Sequence, residues 1–520
     1  MYNIHLKLPF GEADSVKKYL VKAVSLLLIA VMGFGFTACH KKKKTIPYGG
    51  VARVGITEAP VCLDPHKAST VCEKEILVNI FDTLYRFNSK GELKPCLASD
   101  VSISPDARTY TFTLKENILF SDGSELDTGD VVYSIKRAAG LLPDQDGTAL
   151  IPELDSVISV TASELQVTVT LDSPDSELIA LYETAIIPEG CDDIETSMIG
   201  SGPFKFVSYT EGDELTLERN ENYRNPKYPY LDGVVFKIFP DINSAYAALL
   251  DETIDILPYI TGFQALMLDT SRFRIQSKAS NSVQMFAFNN NSEYLSDERI
   301  RQAISYTIDR DEIISRCTNG RGEELTTGMS TIMVEAYNPS VNGTYARDLV
   351  TARALMEQAG YSRGFSLTVL VPSDDQLQID TAMIIAQQLR EINITLHVEV
   401  TDPETFNTRV FETHDYEAAL LTLTGEFDPY NIVSDYGTYS EANFIGYSNS
   451  LVDLRLQQIP LTADPNDRLA LYHETLYYMT NDACSCYIQD PHFLFATNKK
   501  FAGVRIYPNH VLNMFSVHLK

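Results

Sequence analysis

No tryptophan occurs in this chain, so any cleft it builds lacks indole platforms, and flat aromatic surfaces must come from its 28 tyrosines and 24 phenylalanines. Cysteine is scarce, with 8 in the whole sequence. Setting Cys39 aside leaves Cys62, Cys72, Cys96, Cys191, Cys317, Cys484 and Cys486, an odd number that argues against a complete disulfide framework. Cys62 and Cys72 either close one surface loop in an oxidising compartment or stay free. Cys484 and Cys486 have no histidine cluster nearby in sequence and read as buried small thiols sharing one face of a strand, so no metal is expected. Positive charge is also short: 42 Lys and Arg face 70 Asp and Glu, for a formal net charge of −28. Phosphate binding needs clustered positive charge, so nucleic acid is not an expected partner, whereas a cationic ligand is mildly favoured.

Signatures of catalysis are missing as well. Gly446-Tyr447-Ser448-Asn449-Ser450 fails the nucleophile-elbow pattern at its last position. His473-Glu474 has Tyr477 where a second zinc-binding histidine belongs, and Gly200-Ser201-Gly202 has Lys205 where a third glycine would serve a dinucleotide. No cofactor is implied, and an enzyme is not the expected reading.

What is present begins at the N-terminus. Lys17, Lys18 and Lys22 lead into an apolar run from Ala23 to Phe36 and then Thr37-Ala38-Cys39. The run is shorter than the roughly 18 residues of a membrane span and reads as a signal peptide over residues 1–38. The stop at a cysteine resembles the lipobox of bacterial lipoproteins, with Phe36 departing from the usual leucine; that resemblance implies lipidation of Cys39. His40 and Lys41 to Lys44 follow as a basic tether, residues 39–49, able to lie against anionic headgroups. No second long apolar segment occurs, so the rest is expected to be soluble and extracytoplasmic, anchored to the membrane by lipid.

The mature chain changes character along its length. Its early part is rich in short strands: Val51 to Ile56, the alternating Tyr110, Phe112 and Leu114, and Leu165 to Leu171 hairpinned to Val157–Val160. A helix is expected from about Glu73 to Tyr85, and Thr128 is placed as the cap of another. Later, Ser296 is placed as a helix cap, and Asp309 with Glu312 starts a helix that stops at Asn319-Gly320. Phe365 to Val371 and Ile394 to Val400 alternate on either side of a helically spaced Ala382, Ile385, Ala386 and Leu389. That βαβ unit predicts neighbouring parallel strands and an α/β lobe. The fold class expected is therefore α/β, with lobe I over 50–283 and 487–520, including a strand-rich subdomain at about 80–200, and lobe II over 284–486. Two lobes leave a cleft between them, the usual place for a small-molecule site.

The stretch LASDVSISPDARTYTFTLKENILFSDGSELDTGDVVYSIKR, Leu97 to Arg137, resembles the signature region of the family 5 extracellular solute-binding proteins. CLDPHKAST (Cys62 to Thr70), GSGPFKFVSYTEGDELTLERNENY (Gly200 to Tyr223) and FNNNSEYLSDERIRQAISYTIDRDEII (Phe288 to Ile314) agree in the same order, as does GYSNSLVDLRL (Gly446 to Leu456). The resemblance implies a two-lobe, three-domain fold of the type II periplasmic-binding-protein kind. It implies a monomer that closes on an oligopeptide or dipeptide in its interlobe cleft and passes it to the permease subunits of an ABC importer. A metal chelate, an opine or an oligosaccharide stays open as the solute, and a sensor or enzyme on the same scaffold is the remaining alternative.

Ligand contacts implied by the resemblance fall on two segments. After Leu-Asp-Pro-His, relatives pair an extended edge with ligand backbone, which places Ser69, Thr70 and Val71 there. In the second lobe, peptide binders hold the ligand amine with an Asp four residues before a Pro. This chain reads Leu423-Thr424-Gly425-Glu426-Phe427-Asp428-Pro429-Tyr430, so Gly425 occupies that position. Thr424, Gly425, Glu426, Asp428 and Tyr430 become the candidate contacts, with Glu426 able to supply the displaced carboxylate. Tyr436 and Tyr439 are either cleft aromatics or core.

Overall fold

The computed structural model describes residues 46–191, 193–425, 427–507 and 509–520; the leader, Cys39, the lysine run and Glu426 lie outside them. Residues 47–520 form one compact unit. Its chain opens with strand β1 (Val51–Ile56) and helix α1 (Val71–Leu77). This helix is shorter than its pattern predicts. Thr70 and Glu73 form a capping box that starts it at Val71, and Asn79, whose Nδ2 donates to the carbonyls of Glu75 at 2.8 Å and Leu512 at 2.9 Å, takes the backbone away from Tyr85.

A four-stranded antiparallel sheet follows: β2 (Ala98–Ile103), β3 (Thr109–Leu114), helix α2 (Thr128–Ala138), then β4 (Val157–Ser163) and β5 (Gln166–Leu171), in the order β2-β3-β5-β4. Tyr110, Phe112 and Leu114 alternate into its core with Val167, Val169 and Leu171, as period-2 strands must. The cap of α2 is Asp127 rather than Thr128: its carboxylate accepts from Gly129 N at 2.6 Å, and Asp130 reaches back to Asp127 N at 2.8 Å. Strands β6 (Phe204–Thr210), β7 (Glu214–Arg219) and β8 (Gly233–Ile238) return to β1, with β8 parallel to it. Gly200 and Gly202 lie against the Ile80 carbonyl, where an added Cβ would come within 2.1 and 2.6 Å, so the Gly-Ser-Gly block is a close backbone crossing.

The second half carries β9 (Phe273–Ala279), β10 (Ser282–Phe288), α3 (Glu298–Thr307), α4 (Arg310–Cys317), β11 (Ser366–Pro372), α5 (Gln376–Leu389), β12 (Thr395–Thr401), β13 (Ala418–Thr424), α6 (Pro429–Ser434), α7 (Pro465–Asn481) and β14 (Ser485–Asn498). The predicted βαβ unit is β11-α5-β12, with its strands parallel and in register from Ser366–Thr395 to Pro372–Thr401. Asp309 caps α4 as expected, but α3 is capped by Asp297, one residue past Ser296. The large sheet runs β12-β11-β13-β10-β14, then through Ile256–Leu257 to β1-β8-β7-β6.

Two extended segments cross the middle of this sheet side by side. β14 pairs antiparallel with β10 through its first residues and with β9 through its last. At roughly 3.3 Å per residue, its 14 residues are long enough to reach from one half to the other. The cysteine-flanked start of β14 differs from expectation. Cys484 precedes the strand beside Ala483, whose φ is +45°, so it packs into a different core cluster from Cys486. The seven cysteines among the described residues are free; Cys62 and Cys72 close no loop, and Cys72 Sγ lies 3.1 Å from the Glu58 carbonyl.

Candidate ligand-binding site

The site is built around the crossing. Between β9 and β10 the chain kinks at Ser280-Asn281, and Asn281 takes a left-handed φ of +57°, a conformation asparagine tolerates. Asp490 on β14 holds this kink from below: its carboxylate accepts from Ser280 N at 2.9 Å, Ser280 Oγ at 3.0 Å and Ser282 N at 3.2 Å, and from Ser330 Oγ. Burial nevertheless keeps the Asp490 carboxyl above the usual carboxylate range, against those donors.

Asn281 also reaches to the end of β13. Gly425 N donates to the Asn281 carbonyl at 2.8 Å, and Asn281 Nδ2 donates to the Gly425 carbonyl at 2.9 Å. A Cβ on Gly425 would stand 3.0 Å from the Asn281 carbonyl oxygen. The glycine found where an aspartate was expected is thus fitted to the crossing turn.

Beside this junction lies a cavity of about 330 Å³. Val283, Gly328, Ser330, Tyr436, Phe444 and Ile445 form its buried floor. Thr424, Asn431, Asp435 and Ala442 stand exposed around its opening. A mostly apolar floor with a few polar groups at the rim is the usual make-up of a small-molecule pocket.

Of the residues proposed from sequence, Thr424 and Gly425 line this cavity. Asp428 caps α6, accepting from Tyr430 N at 2.9 Å and Asn431 N at 3.1 Å. Burial pushes the Asp428 carboxyl up to about 7, with Glu177 and Asp175 adding repulsion. Tyr430, half-buried, feels the same Asp175, so both residues face the strand-rich subdomain. There Tyr472 Oη donates to Glu177 Oε2 at 2.7 Å, Arg468 stands 3.4 Å from the same oxygen, and Phe87 packs on Phe427 at 4.6 Å between ring centroids. Tyr436 is buried in the cavity floor, and Tyr439 is 93% exposed.

Ser69, Thr70 and Val71 stand at the start of α1 and do not line the cavity. The amides of Ser69 and Thr70 donate to Glu73 Oε2 at 2.9 and 3.1 Å, and the Thr70 carbonyl accepts from Lys74 N at 3.1 Å as the first bond of the helix. One turn along the helix, fully buried Glu75 accepts from Tyr259 Oη at 2.7 Å, and burial pushes its carboxyl up to about 8. Sequence reasoning missed Asn281, Asp490 and Asp435. The first two sit in the crossing, and a Ser-Asn-Ser between two apolar strands was the available signal. Asp435 carries none, because an acid at a helix end reads as surface.

Two halves of one sheet joined by a pair of crossing strands, with a cavity at the crossing, are the architecture of a solute-binding protein. The model for bacterial extracellular solute-binding proteins, family 5 (middle region), matches residues 92–444, and the chain belongs to that family. The oligopeptide-binding protein AppA of Bacillus subtilis (strain 168) is 22% identical over 550 aligned positions, covering 96% of this chain and 98% of its own. Among solved structures, the ABC transporter substrate-binding protein CtaP of Listeria monocytogenes is 26% identical with a TM-score of 0.78, covering 91% of this chain and 99% of its own. AgaA from A. tumefaciens R10, in complex with agropinic acid, is 24% identical with a TM-score of 0.65 and covers 91% and 99%. Among the described residues no helix is long and apolar enough to cross a membrane.

Proposed function

We propose that this protein captures an oligopeptide or dipeptide between two lobes outside the cytoplasm and delivers it to an ABC importer, held at the membrane by a lipid on Cys39. The lobes divide as 50–283 with 487–520 and 284–486, and the crossings at Ser280-Asn281 and Asp490-Pro491 are the hinge. The observation that carries the reading is the cavity at the end of β13, lined by Thr424 and Gly425 and fastened through Asn281 to that hinge. A solute there touches the segment that must bend when the lobes close. The likeness to AppA and CtaP supports a peptide and a transporter partner. Glu426 is retained as a ligand contact in this reading, with Ser69, Thr70 and Val71 on the facing lobe.

A non-peptide solute, such as an opine, is the second reading. It is favoured by Gly425 in place of an amine-binding aspartate and by the agropinic acid complex of AgaA. Native mass spectrometry of protein purified without refolding separates the two: a series of short-peptide masses supports the first, and one non-peptide mass rejects it.

A further inference from the structure

The cavity beside Gly425 has one carboxylate in its lining, Asp435, and no Lys, Arg or His among the described residues. Asp435 closes the C-terminal end of α6, where carbonyls rather than amides point outward, so the backbone offers it no donors. Its carboxylate makes no hydrogen bond and no ion pair with any described residue, whereas that of Asp428 at the other end of the same helix holds two backbone amides. The Val283, Tyr436, Phe444 and Ile445 side chains leave an apolar floor below it. Although the residue stands exposed at the rim, the protein packed around its carboxyl withholds part of the solvent and raises its affinity for a proton, as expected of a carboxylate with no counter-charge.

We propose that Asp435 receives a ligand ammonium group while the apolar floor takes the alkyl stem that carries it, making the cavity a subsite for primary ammonium on an apolar stem. This rests on the reading of the cavity as a solute site and names what it selects. It also locates the charge complement that Gly425 cannot supply. The ammonium can come from the α-amine of a ligand whose first side chain enters the floor, or from a lysine side chain.

The test compares the wild-type protein with Asp435→Asn, whose side chain has no internal partner to lose, with a thermal melt confirming the fold. n-Butylammonium and its neutral counterpart n-butanol are the first probes, observed by ligand-detected NMR titration. Preference for the ammonium in wild type, with its affinity falling about tenfold or more in Asp435→Asn while butanol is unchanged, is the expected result. Equal binding of the two probes, or an ammonium affinity indifferent to the substitution, overturns the proposal. Calorimetry then uses Ala-Leu-Ala, N-acetyl-Ala-Leu-Ala and N-acetyl-Ala-Lys-Ala. Loss confined to Ala-Leu-Ala assigns the α-amine, loss confined to the lysine peptide assigns the side chain, and equal loss for all three overturns the proposal. Failure of every peptide to bind wild type, with the butylammonium result intact, rejects the peptide reading and leaves the Asp435 subsite standing.

Discussion

His66 is buried with both ring nitrogens engaged: Arg137 Nη1 donates to Nδ1 at 2.9 Å, and Nε2 donates to the Ala185 carbonyl at 2.8 Å. That pattern requires the neutral ring. Burial, with the Arg137 charge adding to it, pushes its pKa from an ordinary 6.5 down to about 4. A histidine depressed in the folded state takes up its proton first when unfolded. Its contribution to stability is therefore complete above pH 6.5 and is lost as the pH falls toward 4. Between pH 7 and pH 4.5 the loss comes to about 2 kcal/mol. His66→Gln removes the titration while keeping one acceptor for Arg137 and one donor for Ala185. Urea unfolding of both proteins at the two pH values gives the double difference, in which effects common to both cancel. Wild type should lose about 2 kcal/mol more than the variant. Neighbouring Asp64, pushed down to about 2 by its hydrogen bonds to Arg137 and the His66 amide despite burial, loses its contribution mainly below pH 4, outside this window. An identical pH-dependent loss in both proteins would refute the account.

Glu75 has the opposite sign: its raised carboxyl stabilises fully below about pH 4.5, and the contribution is lost as the pH climbs through about 8. Thermal melts should show Glu75→Gln more stable than wild type at pH 8, by on the order of several kcal/mol, with the gap closing at pH 5; a gap independent of pH would count against a buried protonated acid. Gly425→Asp, which restores the carboxylate expected of a peptide binder, should cost about 1 to 3 kcal/mol by crowding the Asn281 carbonyl. Free-amine peptides should bind it no better, and a fully stable variant with improved affinity for them would show that the glycine is not a steric requirement.

Strand alternation was the most legible feature, because a half-buried strand must place every second residue in the core; Tyr110, Phe112 and Leu114 do so without exception. The βαβ unit was equally readable, since β11, α5 and β12 each show their own period. The starts of α2, α3 and α4 were legible to within a residue, and that of α1 to within two. Thr128 and Ser296 each stand next to an aspartate that takes the role, and aspartate caps as well as serine or threonine do. The end of α1 was hidden, because the Asn79 side chain stops it through Leu512, more than four hundred residues away. The site itself was half legible. The family resemblance pointed to Thr424 and Gly425, which line the cavity, but their link to Asn281 and the floor beneath them join segments far apart in sequence.

The blocks that carry the family resemblance converge in the fold, and where they converge they hold structure. Asp64 of the Cys62-to-Thr70 block and Arg137, which ends the signature region, form a two-pronged buried ion pair at 2.6 and 3.0 Å, with His66 completing it. Arg301 and Arg310 of the Phe288-to-Ile314 block are buried with no carboxylate partner among the described residues: Arg301 donates to the carbonyls of Ala483 and Asp482, and Arg310 to that of Tyr487 at 2.7 Å. These guanidiniums fasten α3 and α4 to the start of β14, so they set where the crossing strand enters the second half. Gly200 and Gly202 permit a backbone contact. Removing one partner of such a buried charge network costs several kcal/mol wherever it occurs, so these residues are constrained whatever the solute. Asp435, Ile432 and Ala442 lie between Gly425 and the last of these blocks, in a segment with no such duty. On the proposed reading, what the cavity selects can therefore change through substitutions in that segment while the crossing strands and both halves of the sheet stay as they are.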